Sequence, residues 1–327
     1  MRLSAVNWGM IGCGNVAEVK SGPAFNKVRG SQLVAVMRRN GEKARDYAIR
    51  HNVPRWYDDA EQLINDPEVN AVYIATPPGS HAEYAIRTMK AGKPVYVEKP
   101  MAATYNECLE MISVSEQTGV PLFVAYYRRM LPGFIKIKEL LDSGAIGHPR
   151  FFLIRLFQPP YKEDMQKTLP WRVIPEISGG GYIYDLGSHQ IDLIDYLLGP
   201  IEETGSYTTN LAGLYAPEDF VSSGFRCSTG IAGSGTWNFA APDRLEEDTI
   251  EIFGDTGKIR FSCFGFTATE LTREGKTTHF ANPRPDHVQQ PLIQTIVEEL
   301  SGKGKCPATG TSSAKTSLLL DRITGKI

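Results

Sequence analysis

The chain has 327 residues, 42% hydrophobic and 22% charged, with a formal net charge of -2 from 35 basic and 37 acidic side chains. That length suits about two domains; the balanced composition lacks the basic stripe of a nucleic-acid binder and any apolar run near the ~18 residues of a membrane span. Cys13, Cys108, Cys227, Cys263 and Cys306 are too widely spaced for a disulfide framework or a zinc knuckle, and the opening MRLSAVNWGMIGCGN reads as a strand rather than a signal peptide, so a reduced, cytoplasmic setting without membrane or nucleic-acid partners is expected.

Residues 5–11, AVNWGMI, predict a short buried strand, and Gly12-Cys13-Gly14-Asn15-Val16-Ala17 follows at once. This is GxGxxA, a dinucleotide fingerprint with alanine in the third place. Gly12 allows the tight turn, Gly14 admits a pyrophosphate to the backbone, and Ala17 keeps the next helix close to the sheet. The helix N-terminus adds N–H donors and the positive end of its dipole. Gly12, Cys13, Gly14, Asn15 and Val16 are therefore assigned to cofactor binding.

A second strand, 32–37, ends in Met37-Arg38-Arg39-Asn40. An NAD site usually places Asp or Glu about 20 residues beyond the fingerprint, on the adenosine ribose. Here two guanidinium groups stand at the strand end, suited to the charge and geometry of a 2′-phosphate. The expectation is NADP(H), with Arg38 the main contact and Arg39 beside it, and NAD(H) as the alternative.

Helical patterns at 42–51 and 60–65 follow, the second ended by Asp66-Pro67. NAVYIA, 70–75, is a third strand. It leads through Thr76-Pro77-Pro78-Gly79-Ser80-His81 into a helix at 80–91. Loops at that edge of a parallel sheet line the ligand crevice, so Thr76, Pro77, Pro78 and His81 join the cofactor set. A fourth strand, 95–98, ends in Glu98-Lys99-Pro100. A lysine delivered by a strand end is a candidate acid or carbonyl-polarising group; without the surrounding pattern it would read as a solvated loop lysine. Helix 104–118 and strand 122–126 complete an alternation that specifies a mostly parallel sheet.

After Tyr126 the rhythm changes. One helix, 132–143, precedes strand-like runs at 149–157, 205–209, 220–228, 233–239, 249–253, 258–263, 268–272 and 277–280. Crossover helices between them are mostly absent, which predicts an open antiparallel sheet. Gly254-Asp255-Thr256-Gly257 reads as a hairpin turn. Helices are expected at 286–300 and 311–323. The predicted fold class is α/β: an N-terminal Rossmann domain (1–124), a C-terminal α/β domain on an open, mostly antiparallel sheet (125–305), and a C-terminal helix (306–327) packing back on the first domain.

The segment GGGYIYDLGSHQIDLIDYLLG, 179–199, sits between those strands. Asp185, His189, Asp192 and Tyr196 recur at helical spacing on one face, while Leu186, Ile191, Leu193, Ile194, Leu197 and Leu198 cover the rest. Histidine can shuttle a proton near neutral pH, and Asp185 one turn away can orient its ring or share a proton with substrate. From spacing alone the stripe reads equally as a hydrogen-bonded network without chemistry. Asp192 and Asp195 are expected to be structural or solvated.

GCGNVA after the first strand, EKP after a later one and GGGYIYDLGSHQID in the second half together resemble the glucose–fructose oxidoreductase / inositol dehydrogenase / rhizopine catabolism family. The resemblance covers essentially the whole chain. It implies an NAD(P)-dependent oxidoreductase acting on CH–OH groups of a sugar, keto-sugar or cyclitol, without a metal, assembling as a homodimer or homotetramer through its open sheet. It also implies Lys99 and His189 as catalytic groups, with Asp185 binding substrate or assisting the proton transfer. Trp171-Arg172 resembles the family's pair near the cofactor, to which Glu98 and Lys99 are assigned as well, and Arg128 is assigned to the substrate pocket. The relatives leave three other readings open: an NAD-dependent glycoside hydrolase acting by transient oxidation, a dihydrodiol-type dehydrogenase, and a non-enzymatic dinucleotide-sensing regulator. Specificity is expected to lie on loops at 158–169, near Trp171, and at 210–219.

Overall fold

Six short apolar runs near the start of the chain pair into one parallel sheet. In the computed structural model, which describes residues 2–327, they are β1 (Val6–Ile11), β2 (Ser31–Met37), β3 (Arg55–Tyr57), β4 (Ala71–Ile74), β5 (Val95–Val97) and β6 (Leu122–Val124). Their order is β3-β2-β1-β4-β5-β6, with every neighbouring pair parallel. β4, β5 and β6 are buried throughout, as expected of strands covered on both faces. The order reverses between β1 and β4, where such sheets open a crevice for ligand at their C-terminal edge. Only β3 lies outside the sequence reading. Its three residues, RWY, are partly exposed at the sheet edge, too short a run to show a period.

The helices stop and start where their caps dictate. Asn40 Oδ1 accepts from Lys43 N at 3.0 Å and opens Gly41–Arg50. Thr104 and Glu107 form a reciprocal capping box for Tyr105–Thr118, which Gly119 ends in the left-handed region. The segment after the Gly-rich loop is less regular than expected: a π turn, Ala17–Ser21, runs into a short helix, Gly22–Phe25. Pro23 has no N–H to donate to the preceding turn, and the Tyr47 hydroxyl donates to the Ala17 carbonyl at 3.1 Å.

This unit comprises Met1–Tyr127 and Pro285–Lys315; the second comprises Arg128–Arg284 and Thr316–Ile327. The expected boundary at 305 is thereby corrected, because residues 285–305 complete the first unit. Leu3 N donates to Leu300 O at 2.8 Å, and Val124 N to Ala308 O at 2.9 Å. The Gln290–Leu300 helix buries Leu292, Ile293, Ile296 and Leu300. The final helix, Gly310–Ile323, is likewise not wholly part of the first unit. Its later residues bind the second: Tyr184 donates to Asp321 at 2.8 Å and Ser206 to the Ile323 carbonyl at 2.7 Å.

The second unit is built on β7 (Pro149–Phe157), β8 (Ile201–Thr209), β9 (Phe220–Cys227), β10 (Ala232–Asn238), β11 (Glu247–Gly254), β12 (Gly257–Phe261), β13 (Thr269–Arg273) and β14 (Lys276–Phe280). The order is β14-β13-β12-β11-β7-β10-β9-β8. All pairs are antiparallel except β7 with β10. Alternation along β7 buries Phe152, Ile154 and Leu156. On the same covered face, Phe134 of the Pro132–Asp142 helix packs edge-on against Phe261 with centroids 6.1 Å apart. The opposite face is open. Phe151 is 42% exposed and stacks on Phe253 at 4.4 Å, beside the Arg155–Glu247 and Lys258–Glu251 ion pairs.

Candidate active site

The first unit gathers its assigned residues at the C-terminal edge of β1, β4 and β5. Gly12 has φ +96°, and a Cβ there would lie 2.9 Å from the Ala75 carbonyl carbon. Only glycine adopts that turn at this contact without strain. Above Gly14 the space is open, since a Cβ would meet nothing nearer than the Gly12 carbonyl at 4.0 Å. This is the cradle that close approach of a pyrophosphate requires. Burial pushes the Cys13 thiol up to about 11, so the loop presents no thiolate to an anionic ligand at neutral pH. Asn15 and Val16 complete the loop before the π turn.

Arg38 follows β2, but its side chain turns back to the Gly-rich loop: Nη1 donates to Cys13 O at 3.4 Å. Arg39 is exposed. The Thr76–Pro78 loop follows β4, and a brace holds it from below. His81 is fully buried, with Nε2 at 2.7 Å from Thr76 O and Nδ1 at 3.0 Å from Pro100 O. The assignment of His81 to cofactor contact is corrected on that geometry. Both ring nitrogens face main-chain carbonyls inside the fold, one in the Thr76 loop and one at Pro100, and a neutral ring donates to one of them at a time. Burial lowers its pKa.

Lys99 is half-buried, directly beyond β5. Glu98 before it is only 7% exposed. Its Oε1 accepts from the Tyr73 hydroxyl and from Gln289 Nε2, both at 2.5 Å, and its Oε2 from Lys99 N at 3.3 Å. Tyr96 in turn donates to Gln289 Oε1 at 2.8 Å. Burial, and then the Glu98 charge, raise both tyrosines well above the usual phenol range, so each stays a donor. The assignment of Glu98 to cofactor binding is corrected on that geometry: it is a buried carboxylate whose two oxygens are taken up by Tyr73, Gln289 and the main chain of Lys99. Nothing in the local pattern of Gln289, almost two hundred residues later, points to this network.

The second unit carries the rest. The expected single helix over 179–199 is two pieces: a π turn, Ile183–Gly187, runs into the α-helix Ser188–Leu198. A π turn inserts an extra residue and shifts the side chains that follow, and π turns recur at functional sites. The even stripe is therefore divided among partners. The Asp185 carboxylate accepts from Arg172 Nε at 2.9 Å, and the Arg172 guanidinium lies over the Trp171 ring at 4.7 Å. Asp192, 1% exposed, takes both arms of Arg129, Nε at 3.0 Å and Nη2 at 2.5 Å. Asp195 accepts from Ile201 N at 2.9 Å. Both of the latter are structural. Gly180 packs so tightly under Tyr184 that a Cβ would run into that ring.

His189 is the second residue of the α-helix and is 4% exposed. The edge of Phe264 meets its ring at a centroid distance of 6.0 Å. Arg128 is 6% exposed, donates from Nε to Cys263 O at 3.0 Å, and sets its guanidinium 4.5 Å over the same Phe264 ring. Phe264 escaped the sequence reading, since a lone aromatic beyond a strand end carries no periodic signal. The loop at 158–169 is anchored through Asp164, which accepts from Tyr182 at 2.6 Å. That at 210–219 closes on itself through Asp219, which accepts from Leu211 N and Ala212 N. Among the described residues, no helix is long and apolar enough to cross a membrane.

Comparison with known proteins agrees with this layout. A family model described as an oxidoreductase family with an NAD-binding Rossmann fold matches residues 6–126, and one for the GFO/IDH/MocA C-terminal domain matches residues 134–260. The chain is 43% identical over 325 residues to Oxidoreductase P35 of Formosa agariphila, covering 98% of this chain and 99% of that protein. The fold is similar to that of levoglucosan dehydrogenase in complex with NADH and levoglucosan, with TM-score 0.89, 23% identity and coverage of 98% and 96%. It is also similar to an oxidoreductase from Agrobacterium radiobacter in complex with NAD+, L-tartaric acid and magnesium, with TM-score 0.85, 23% identity and coverage of 97% and 94%. The expected preference for NADP(H) is corrected accordingly. These solved structures carry NADH or NAD+, and the Arg38 guanidinium on which the expectation rested is engaged by the Cys13 carbonyl of its own fold.

Proposed function

We infer the reaction from one premise: the chain belongs to the GFO/IDH/MocA oxidoreductase family. It is a dehydrogenase or reductase acting on CH–OH groups with a nicotinamide cofactor. We propose NAD(H) as that cofactor and a sugar or cyclitol as the substrate. The observation that carries the reading is Lys99, half-buried just beyond β5 at the sheet edge that also carries the Gly-rich loop, its main chain held by buried Glu98.

The bound nicotinamide supplies the hydride acceptor or donor. The protein holds and moves the proton. Lys99 donates to the reacting oxygen and stabilises the charge that develops there. His189 takes the hydroxyl proton during oxidation and returns it during reduction. Asp185, held by Arg172, accepts from substrate hydroxyls, and Arg128 lines the substrate site. Gly12, Cys13, Gly14, Asn15, Val16, Thr76, Pro77 and Pro78 are assigned to the dinucleotide, with Trp171 and Arg172 toward its nicotinamide end. The open face of the second sheet, with Phe151 exposed, is assigned to self-association.

Purified protein mixed with NAD+ and either myo-inositol or levoglucosan tests the reading by NADH absorbance. The expected result is one NADH formed per substrate oxidised. Tight NADH binding with no hydride transfer from any cyclic polyol to NAD+ would overturn it. A second reading, the redox-recycling glycoside hydrolase, is favoured by the cofactor correction, because that reading is NAD-dependent. It predicts glycoside cleavage with no net NADH.

A further inference from the structure

One carboxylate behind the second unit's site organises three elements at once. Asp248, on β11, accepts from Phe264 N at 2.7 Å, from Cys263 N at 3.1 Å and from the Ser262 hydroxyl. It also faces Gln190 Nε2 at 3.4 Å. Gln190 is fully buried next to His189, and its Oε1 accepts from the buried Trp237 indole at 2.7 Å. Ser262 Oγ accepts in turn from Gly265 N at 2.6 Å. Residues 262–265 are therefore a loop wound around a single anion. Hydrogen bonds to an ionised acceptor are the stronger kind, and several converging on one carboxylate hold a short segment in one conformation.

What that loop presents is the point. Its Phe264 ring meets His189, and its Cys263 carbonyl and Phe264 ring together hold Arg128. We propose that Asp248 is a positioning residue of this active site: it fixes the 262–265 loop so that Phe264 stands as the wall between His189 and Arg128. The inference rests on the proposed function, in which His189 moves the proton. The effect of Asp248 passes through Phe264, and the two residues should act as one unit.

That coupling is the test. Asp248→Asn, Phe264→Leu and the double variant are assayed with NAD+ and myo-inositol, with rates normalised to NADH-binding sites so that unfolded protein is not counted. Loss of a supporting hydrogen bond of this kind typically costs about 10- to 100-fold. Asp248→Asn is expected to lose that much in kcat/KM, with NADH affinity within about twofold of wild type, since the Gly-rich loop lies in the other unit. The double variant should be no worse than the poorer single one, the signature of residues acting through a shared element, and Phe264→Tyr should restore most of the activity. Ser262→Ala, which removes one donor to the same carboxylate, is the milder variant should Asp248→Asn fold poorly. It should lose several-fold in the same direction. Multiplicative losses in the double variant, or unchanged kcat/KM per binding site in the single ones, would overturn the inference alone. A wild-type protein that transfers no hydride from any cyclic polyol to NAD+ would overturn the functional reading and this inference with it.

Discussion

The two units differ in what first places their assigned residues, although a buried side-chain network around Glu98 also steadies Lys99 in the first. In the first, Gly12, Thr76 and Lys99 each follow the end of a parallel strand, so the sheet itself delivers them to one edge. In the second, Asp185 and His189 lie on either side of a junction between a π turn and an α-helix, while Arg128 and Phe264 depend on a loop tied to one carboxylate. Backbone topology positions a residue at little extra cost. Side-chain networks position it only while every member is present. Substitutions should therefore behave differently in the two units, and the following experiments divide them.

The largest effect is expected where the reacting group itself is removed. Lys99→Met should lower kcat by about 100- to 10,000-fold, the range of a positioned acid–base group, while leaving the melting temperature close to wild type. A large loss of stability instead would mean that Lys99 supports the fold. Next comes Asp192→Asn, which neutralises the buried carboxylate that takes both arms of the Arg129 guanidinium, itself 2% exposed. Breaking one side of a buried pair costs about 3–5 kcal/mol, read as a fall in the denaturation midpoint. A smaller cost would show that the second unit tolerates gaps in its polar network.

The smallest effect is a pH dependence in the first unit. The Arg50 guanidinium beside Glu18, with help from His51, holds that carboxyl at about 2 against an ordinary 4.5. A depressed carboxyl contributes stability that is fully present above its unfolded value and fades as pH falls through the folded one. Glu18→Gln should thus flatten the acid limb of the stability curve between about pH 4.5 and 2 and change little at neutral pH. An unchanged acid limb would remove this cluster from the account.

The same contrast governs what the sequence discloses. β1, β2, β4 and β5, and the glycines and lysine at their ends, are legible because buried parallel strands are continuous apolar runs followed by loops of fixed location. The strands of the second sheet are legible too, through alternation. Arg38 misled, because a guanidinium at a strand end can meet a phosphate or its own backbone, and spacing does not say which. The π turn at 183–187 hides behind an even 3.6-residue period. Gln289 reaching Glu98, and Asp248 reaching Phe264, are contacts between distant segments that leave no local mark.

The division of the chain has a further consequence. The first unit needs Pro285–Lys315 as well as Met1–Tyr127, and Gln289 among those late residues completes the shell around Glu98. On the ribosome, all of Arg128–Arg284 emerges in between. At roughly 5–20 residues per second, the nascent nucleotide-binding half waits on the order of 10–30 s for its last helix, with the hydrophobic surface meant for Leu292, Ile293 and Ile296 uncovered. A chain stopped anywhere before residue 285 would leave that surface exposed to chaperones and proteases.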